Sequence, residues 1–405
     1  MHVLCIICDD QWMSVNFSEG WRRLGATVEE VKYAVGVVRG NFGKQSSAEV
    51  KKINHQIIGK AKALHHNGQL DLIFCSLLDD FVFPETLVEL KKLKVPLVNY
   101  HADMVPLWFR SLKTAKYFDL FCCAQRYNMK KLAQTGAKVV YLPMASNPSI
   151  QQKIFSKSQL ASEVQFNGVC FLGAPIGYRP SVLANIYFND IPLRIYGHHW
   201  DWVKRNISSV GNNSTQQVYV NGIPFFNEKQ LHDLYYYLLP RLKAEGAYIA
   251  ALALSRFQNK FFAKKFDAEE FYAHIPPACI NGHYTKTDFD YLVRSSAINI
   301  GFTHVAGNYG SRWEKKQIRL REFEIPMAGG FYITQYCDEL PELYTIGKTI
   351  ETWKTKEELI EKVHYYLQHA DERNEIAFNG YQYAINNHTW ENRFRKILKE
   401  LAVSV

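Results

Sequence analysis

The sequence predicts an α/β protein built from two doubly wound domains. Three observations carry this expectation. The chain has 405 residues, more than one hydrophobic core sustains, and short apolar runs alternate with longer amphipathic stretches in two separate series. A polar stretch rich in Ser, Asn and Gln separates the two series. With 47% hydrophobic and 21% charged residues and no low-complexity tract, the composition excludes fibrous and disordered classes.

In the first series the strand candidates are Val3–Cys8, Lys32–Val38, Leu72–Ser76, Pro96–Asn99, Leu120–Ala124 and Lys138–Tyr141. Helical stretches separate them. One is Phe83–Lys94, which buries Leu87, Leu90 and Leu93 and leaves Lys91, Lys92 and Lys94 in solvent. The Val3–Cys8 run has no basic lead and is stopped by Asp9 and Asp10, so it fits neither a signal peptide nor a membrane span, and a cytoplasmic protein is expected. In the second series Gly168–Leu172, a Tyr178–Ile186 helix and a Leu193–Tyr196 strand come first, and strands at Ala297–Gly301, Phe331–Thr334 and Lys348–Thr352 follow. Between them the mostly helical sequence, including Asn227–Glu245 and Tyr248–Lys264, reads as an insertion. Thr355 and Glu358 spell a capping box, after which Leu359, Val363, Tyr366 and Leu367 mark one buried helix face; two helices near Asp371–Asn386 and Thr389–Val403 close the series. The expected organisation is therefore residues 1–150 as one domain, 151–165 as linker, 166–385 as a second domain with an insertion at about 198–281, and 386–405 as a helix packing back on the first domain.

The cysteines Cys5, Cys75, Cys122, Cys123 and Cys170 sit inside apolar runs, where a thiol behaves as a small hydrophobe. No disulfide framework is expected. Cys5 and Cys8 fall on opposite faces of a strand, which disfavours a shared redox or metal role. Of the +9 formal charge, +6 lies in residues 1–150, scattered over helix faces without the aromatic interleaving of a nucleic-acid platform. A solvated face accounts for these cations. Weak contact with an anionic membrane surface, at about 1 kcal/mol per cation, is the competing reading.

Two parallel domains present the carboxyl ends of their strands, where open α/β sheets bind ligands. In the second domain, the run from Lys315 to Thr334 reads as helix, glycine stop and strand. It follows the loop His304–Ser311, which contains Gly307 and Asn308. A helix start with free N–H groups suits a phosphate, and Lys316, Arg319 and Arg321 lie close by in sequence. Glu324, five residues before Gly329, can accept two hydrogen bonds from a ribose diol. A solvated charged helix explains the same residues.

Arg321-x-Phe-Glu-x-x-x-x-Gly-Gly-Phe-x-Ile-Thr334, Asp338–Tyr344, Glu357–Leu359, Tyr366–Leu367, Arg373-x-x-x-Ile-Ala377, Gly380 and His388-Thr-Trp-x-x-Arg393 together resemble the C-terminal signature of the CgeB-like branch of group 1 glycosyltransferases. The resemblance covers about residues 290–400 well; Phe171–Gly173, Tyr178–Arg179 and Tyr196–Gly197 match the start of the same domain more weakly, and residues 1–150 agree in layout only. It implies a GT-B fold, two Rossmann-like domains facing across a cleft. The nucleotide-sugar donor is then held by the C-terminal domain and a saccharide or glycoconjugate acceptor by the N-terminal one, without metal or other cofactor and without nucleic acid. By position, Glu324 matches the ribose-binding glutamate, and Arg179, after Gly173, the cation that meets the donor phosphates from the other side. Related retaining families carry a second glutamate where this chain has Lys316, which directs Lys316 or Arg319 to the diphosphate. His304, Gly307 and Asn308 complete the expected donor loop.

A departing nucleoside diphosphate needs positive charge, and without a metal it must come from Lys, Arg and helix starts. A base for the acceptor hydroxyl is expected from the first domain. Asp9 with Asp10, Asp79 with Asp80, and His101 with Asp103 all stand at ligand-facing strand ends; His101 as base with Asp103 as partner is the preferred choice, and Asp10 is a further candidate. The competing reading makes Asp103 a turn cap and His101 a satisfied loop residue. The cluster Gly197–Trp202 either stacks on the nucleotide base or packs. A nucleotide-sugar epimerase or hydrolase on the same fold, or a scaffold without catalysis, are the alternatives to transfer. The expected location is the cytoplasm, including the inner face of the membrane.

Overall fold

The computed structural model describes residues 1–34, 47–148, 155–200, 275–305 and 314–403, together with most of 239–250. The chain forms two compact units: Met1–Asn147 with Pro224–Ala251 and His388–Val405, and Pro148–Ile223 with Leu252–Asn387.

The first unit holds a six-stranded sheet of β1 (His2–Cys8), β2 (Thr27–Tyr33), β3 (Leu72–Cys75), β4 (Leu97–His101), β5 (Leu120–Cys123) and β6 (Val139–Tyr141), in the order β2-β1-β3-β4-β5-β6. Every pairing is parallel. β1, β3, β4 and β5 are near-continuous buried apolar runs, the signature of strands covered on both faces. The second strand begins at Thr27, not Lys32. Four of the seven residues of this edge strand are polar (Thr27, Glu29, Glu30 and Lys32), so an apolar-run criterion passes over its first half, and 35–38 of the expected strand lie outside the described residues. All eight cysteines are buried and none is in a disulfide, and burial pushes the Cys5 thiol up to about 12.

Helix Trp390–Glu400 belongs to this unit and closes its core. Trp21 stacks on Phe394 with ring centroids 4.1 Å apart, and Trp390 Nε1 donates to Asn16 Oδ1 at 3.0 Å. Arg393, buried, donates to the carbonyls of Pro143 and Met144 at 2.8 and 2.9 Å. The sequence reading assigned the whole insertion to the second domain, whereas Pro224–Ala251 falls with the first unit. The expected helices Asn227–Glu245 and Tyr248–Lys264 lie mostly outside the described residues. Within 241–247 the chain is helical, and its Glu245 is anchored on side chains of the first unit.

The second unit has a five-stranded parallel sheet of β7 (Phe166–Leu172), β8 (Leu193–Tyr196), β9 (Ser296–Gly301), β10 (Tyr332–Gln335) and β11 (Glu351–Trp353), ordered β11-β10-β9-β7-β8. Helices Arg179–Phe188 and Lys356–Gln368 pack on it through Val182, Leu183, Leu359 and Val363, against Phe171, Ile298, Ile300 and Trp353. Thr355 caps the second of these by accepting from the Glu358 N–H at 3.1 Å. The Glu358 carboxylate takes the Lys354 N–H, one residue short of the reciprocal bond that a full capping box requires. Gly329 stops helix Arg321–Met327 in the left-handed region, φ +89°.

Candidate functional site

Strand order in the second sheet reverses between β7 and β9, because β8 lies to one side of β7 and β9 to the other. A crevice opens beyond the carboxyl ends of strands at such a switch point. β7 ends at Gly173, whose carbonyl accepts from Trp200 Nε1 at 2.7 Å. Gly197 crosses so close that a Cβ there would lie 2.3 Å from the Gly173 oxygen, with φ +146°. Trp200 is thus a packing residue, while His198 and His199 are exposed; Asp201 and Trp202 lie outside the described residues.

From Gly173 the chain enters helix Arg179–Phe188. Arg179 is buried, donates from Nη1 to Ala174 O at 3.1 Å, and lies over the rings of Phe171 and Phe302 at 5.8 and 5.5 Å. Beyond β9, His304 is fully buried beside Tyr178, ring centroids 4.3 Å apart. Burial first, then the charges of Arg179 and Arg319, press its pKa down to about 3, so the imidazole is neutral at pH 7. Lys316 bridges His304 across an antiparallel pair. Arg319 donates from Nη2 to the His304 carbonyl, and its buried Nε has no partner among the described residues. Gly307 and Asn308 lie outside the described residues.

The helix carrying Glu324 divides its two glutamates by face. Glu322 points inward and is completely buried. It accepts from the Arg319 N–H at 2.6 Å, Thr334 Oγ1 at 2.9 Å and Tyr332 OH at 3.1 Å, and burial raises its pKa. Glu324 points outward, partly exposed, and is paired with Arg321. Sequence reasoning missed Glu322. The signal was present in Glu322-Phe-Glu324, where the residue that seats Arg319 is the inner of the two acids.

Electrostatically, this crevice combines arginines and a helix start with a neutral imidazole and the outward carboxylate of Glu324. That set can neutralise a diphosphate and accept a diol.

In the first unit the candidate bases separate by environment. His101 is buried at the end of β4. Its Nδ1 accepts from the Asp103 N–H at 3.3 Å and its Nε2 faces Leu107 O at 3.4 Å, which the tautomer protonated on Nε2 satisfies. Burial lowers its pKa to about 4. This argues against His101 as the base, because both ring nitrogens are engaged with backbone and an acceptor hydroxyl has no free ring nitrogen to meet. Asp103 is exposed and its side chain does not cap the helix that follows. Asp10 does cap, accepting from the Trp12 N–H at 2.8 Å, the strand-ending role of the two weighed for it. Asp80 pairs with Arg110; Asp79 accepts from Thr114 Oγ1 at 2.6 Å and from the Lys113 and Thr114 N–H groups, and burial raises its pKa to about 6. A further carboxylate, Glu245, is buried and accepts from Trp108 Nε1 and Tyr127 OH, each at 2.8 Å. Its other oxygen takes Arg241 Nε at 3.3 Å, an i,i+4 pair within the same helix, whereas Trp108 and Tyr127 lie more than a hundred positions away, where no spacing rule reaches. Among the described residues no group of three or more His, Cys, Asp or Glu is placed to hold a metal ion.

The architecture has known counterparts. The chain is similar to Anabaena Alr3699/HepE, solved in complex with UDP, at 10% identity and TM-score 0.53, covering 99% of this chain and 100% of that one. It is also similar to a sucrose-phosphate synthase from Thermosynechococcus elongatus, at 9% identity and TM-score 0.54 over 99% of both chains. The fold is GT-B. A glycosyltransferase from Rickettsia africae shares it at 11% identity and TM-score 0.51, covering 98% of this chain and 97% of that one. Residues 249–399 match the family model described as glycosyl transferase-like. Lys316, Arg319 and Glu324 lie inside this stretch and Arg179 outside it, so the GT-B crevice draws its residues from both sides of the match. No curated protein matches the sequence.

Proposed function

We propose that the protein is a glycosyltransferase that takes a sugar from a nucleotide-sugar donor held by the second unit and moves it to a hydroxyl of a saccharide or glycoconjugate, without a metal. The observation that carries this reading is the pairing of Arg319, whose buried Nε is unpartnered among the described residues, with outward-facing Glu324 at the switch point of the second sheet. Diphosphate oxygens suit the arginine and Arg179, and a ribose diol suits the glutamate. The match at residues 249–399 supports the reaction class, and the Anabaena protein, also solved with UDP-glucose, supports a uridine diphosphate sugar as the first donor to try.

With no cation bound, the charge of the leaving diphosphate would fall on the arginines and on the start of helix Arg179–Phe188. A neutral His304 keeps the crevice from binding product diphosphate through a third cation. For the acceptor base, Asp103 is the proposed residue, with His101 holding its loop in place. No helix among the described residues is long and apolar enough to cross a membrane. The proposed location is the cytoplasm, with the basic first unit available to an anionic membrane face.

The test is a thermal-shift panel of UDP, GDP, CDP, dTDP and CMP, with and without magnesium, on the wild type and Glu324→Ala. A ligand at a hundredfold its Kd stabilises by about 2.7 kcal/mol. One diphosphate should shift the wild type, indifferently to magnesium, and shift the variant less. No shift with any nucleotide, or an equal shift in both proteins, refutes the donor assignment.

A further inference from the structure

The donor reading leaves Glu314 unused. Residues 314–317 run antiparallel to 303–305: the Val305 N–H donates to Lys315 O at 2.9 Å and the Gln317 N–H to Thr303 O at 2.8 Å. This ribbon extends from the carboxyl end of β9 and brings Glu314 to Tyr178, on the loop after β7. The Tyr178 hydroxyl donates to Glu314 Oε1 at 2.8 Å and accepts from Nε2 of Gln335, the last residue of β10, at 2.5 Å. With the amide donating to its oxygen, the tyrosine proton is committed to the carboxylate. Three strand ends thus fix one oxygen of Glu314. For the other, Oε2, no partner is found among the described residues, and the residue is partly exposed.

A carboxylate repels phosphate, so beside Arg179 and Arg319 it has no use to a diphosphate. What an open carboxylate oxygen accepts is a neutral hydroxyl. The ribose diol is already assigned to Glu324, and the remaining hydroxyl-bearing part of a nucleotide-sugar is the sugar itself. Resting on the donor pocket above, we propose that Glu314, oriented by Tyr178, accepts a hydroxyl of the donor's sugar and is the residue by which the pocket selects a nucleotide-sugar over the bare nucleotide.

Calorimetric titrations with UDP and with UDP-glucose, on the wild type, Glu314→Gln, Glu314→Ala and Tyr178→Phe, test this. A hydrogen bond to a charged acceptor is worth about 10- to 100-fold in affinity. UDP should bind all four proteins within about threefold. UDP-glucose should bind Glu314→Ala about 10- to 100-fold more weakly than it binds the wild type, with a smaller loss in Tyr178→Phe, where the carboxylate remains but loses its tether. Glu314→Gln keeps the shape and one acceptor oxygen, so it controls for folding and should fall between. Equal losses for UDP and UDP-glucose overturn the proposal by making Glu314 a structural or phosphate-side residue. Unchanged UDP-glucose affinity in Glu314→Ala overturns it outright. Failure of the wild type to bind either ligand overturns it together with the donor reading, a result distinct from the other two.

Discussion

Lowering the pH tests the position of His101 directly. Its pKa is about 4 in the folded protein against an ordinary 6.5, because burial penalises the imidazolium. A base whose folded pKa is depressed lends stability at neutral pH and withdraws it as the pH falls, since the unfolded chain takes up the proton first. From pH 7 to pH 5 this withdrawal amounts to about 2 kcal/mol, out of about 3.4 kcal/mol once both states are protonated. Asp79 runs the other way. Its folded pKa is raised to about 6 from 3.8, so it gains stability over the same interval, by about 1.3 kcal/mol. His304, also depressed, adds to the loss and Glu322, raised, to the gain, so the slope of the wild type sums several groups and a comparison isolates His101. His101→Asn keeps an acceptor near the Asp103 N–H, loses the titrating ring and leaves Asp79 unchanged. Urea unfolding at pH 7, 6 and 5, followed by tryptophan fluorescence, should show the stability gap between wild type and variant narrowing by about 2 kcal/mol toward pH 5. A gap that stays constant across the range would mean that His101 titrates as an exposed imidazole, and would return it to the position of acceptor base.

Three further outcomes are expected. Gly197→Ala places a Cβ 2.3 Å from the Gly173 carbonyl at φ +146° and should cost about 2–4 kcal/mol in urea unfolding, with the UDP-induced thermal shift reduced as the Trp200 contact to Gly173 is lost. Phe394→Ala removes the ring stacked on Trp21 and should cost about 3–5 kcal/mol, read in the same titration. Glu322→Ala leaves the buried Thr334 and Tyr332 hydroxyls and the Arg319 N–H without their acceptor. It should cost about 2–4 kcal/mol and weaken UDP binding in calorimetry, while a variant at exposed Glu357 should do neither.

In the second sheet β7, β9 and β10 were legible because they are buried runs, and Gly329 marks the stop of the helix that carries Glu324; the last strand, expected at Lys348–Thr352, is Glu351–Trp353, whose Glu and Thr give no apolar run. The first-domain acids were not legible. Asp10, Asp79 and Asp80 stand at ligand-facing strand ends, as inferred, but strand-end position does not say which donors a carboxylate will meet. Asp10 meets an N–H two residues on, Asp79 meets Thr114, and Asp80 meets Arg110. Glu245 lay beyond reach for the same reason, its donors Trp108 and Tyr127 being brought to it only by the fold. The edge strand Thr27–Tyr33 was displaced in the reading because its first half, with Thr27 and the adjacent Glu29 and Glu30, is too polar for an apolar-run criterion.

The helix that begins at Trp390 sets an order on synthesis. Residues 1–147 leave the ribosome with Phe17, Trp21 and Phe74 facing an empty groove, and the side chains that fill it, Trp390 and Phe394, are made some 240 residues later. At about 5–20 residues per second that interval is roughly 12–50 seconds. For that time the rings that the last helix covers stay open to solvent, and a chain truncated just before His388 should be cleaved faster in its first unit by a protease than the full chain.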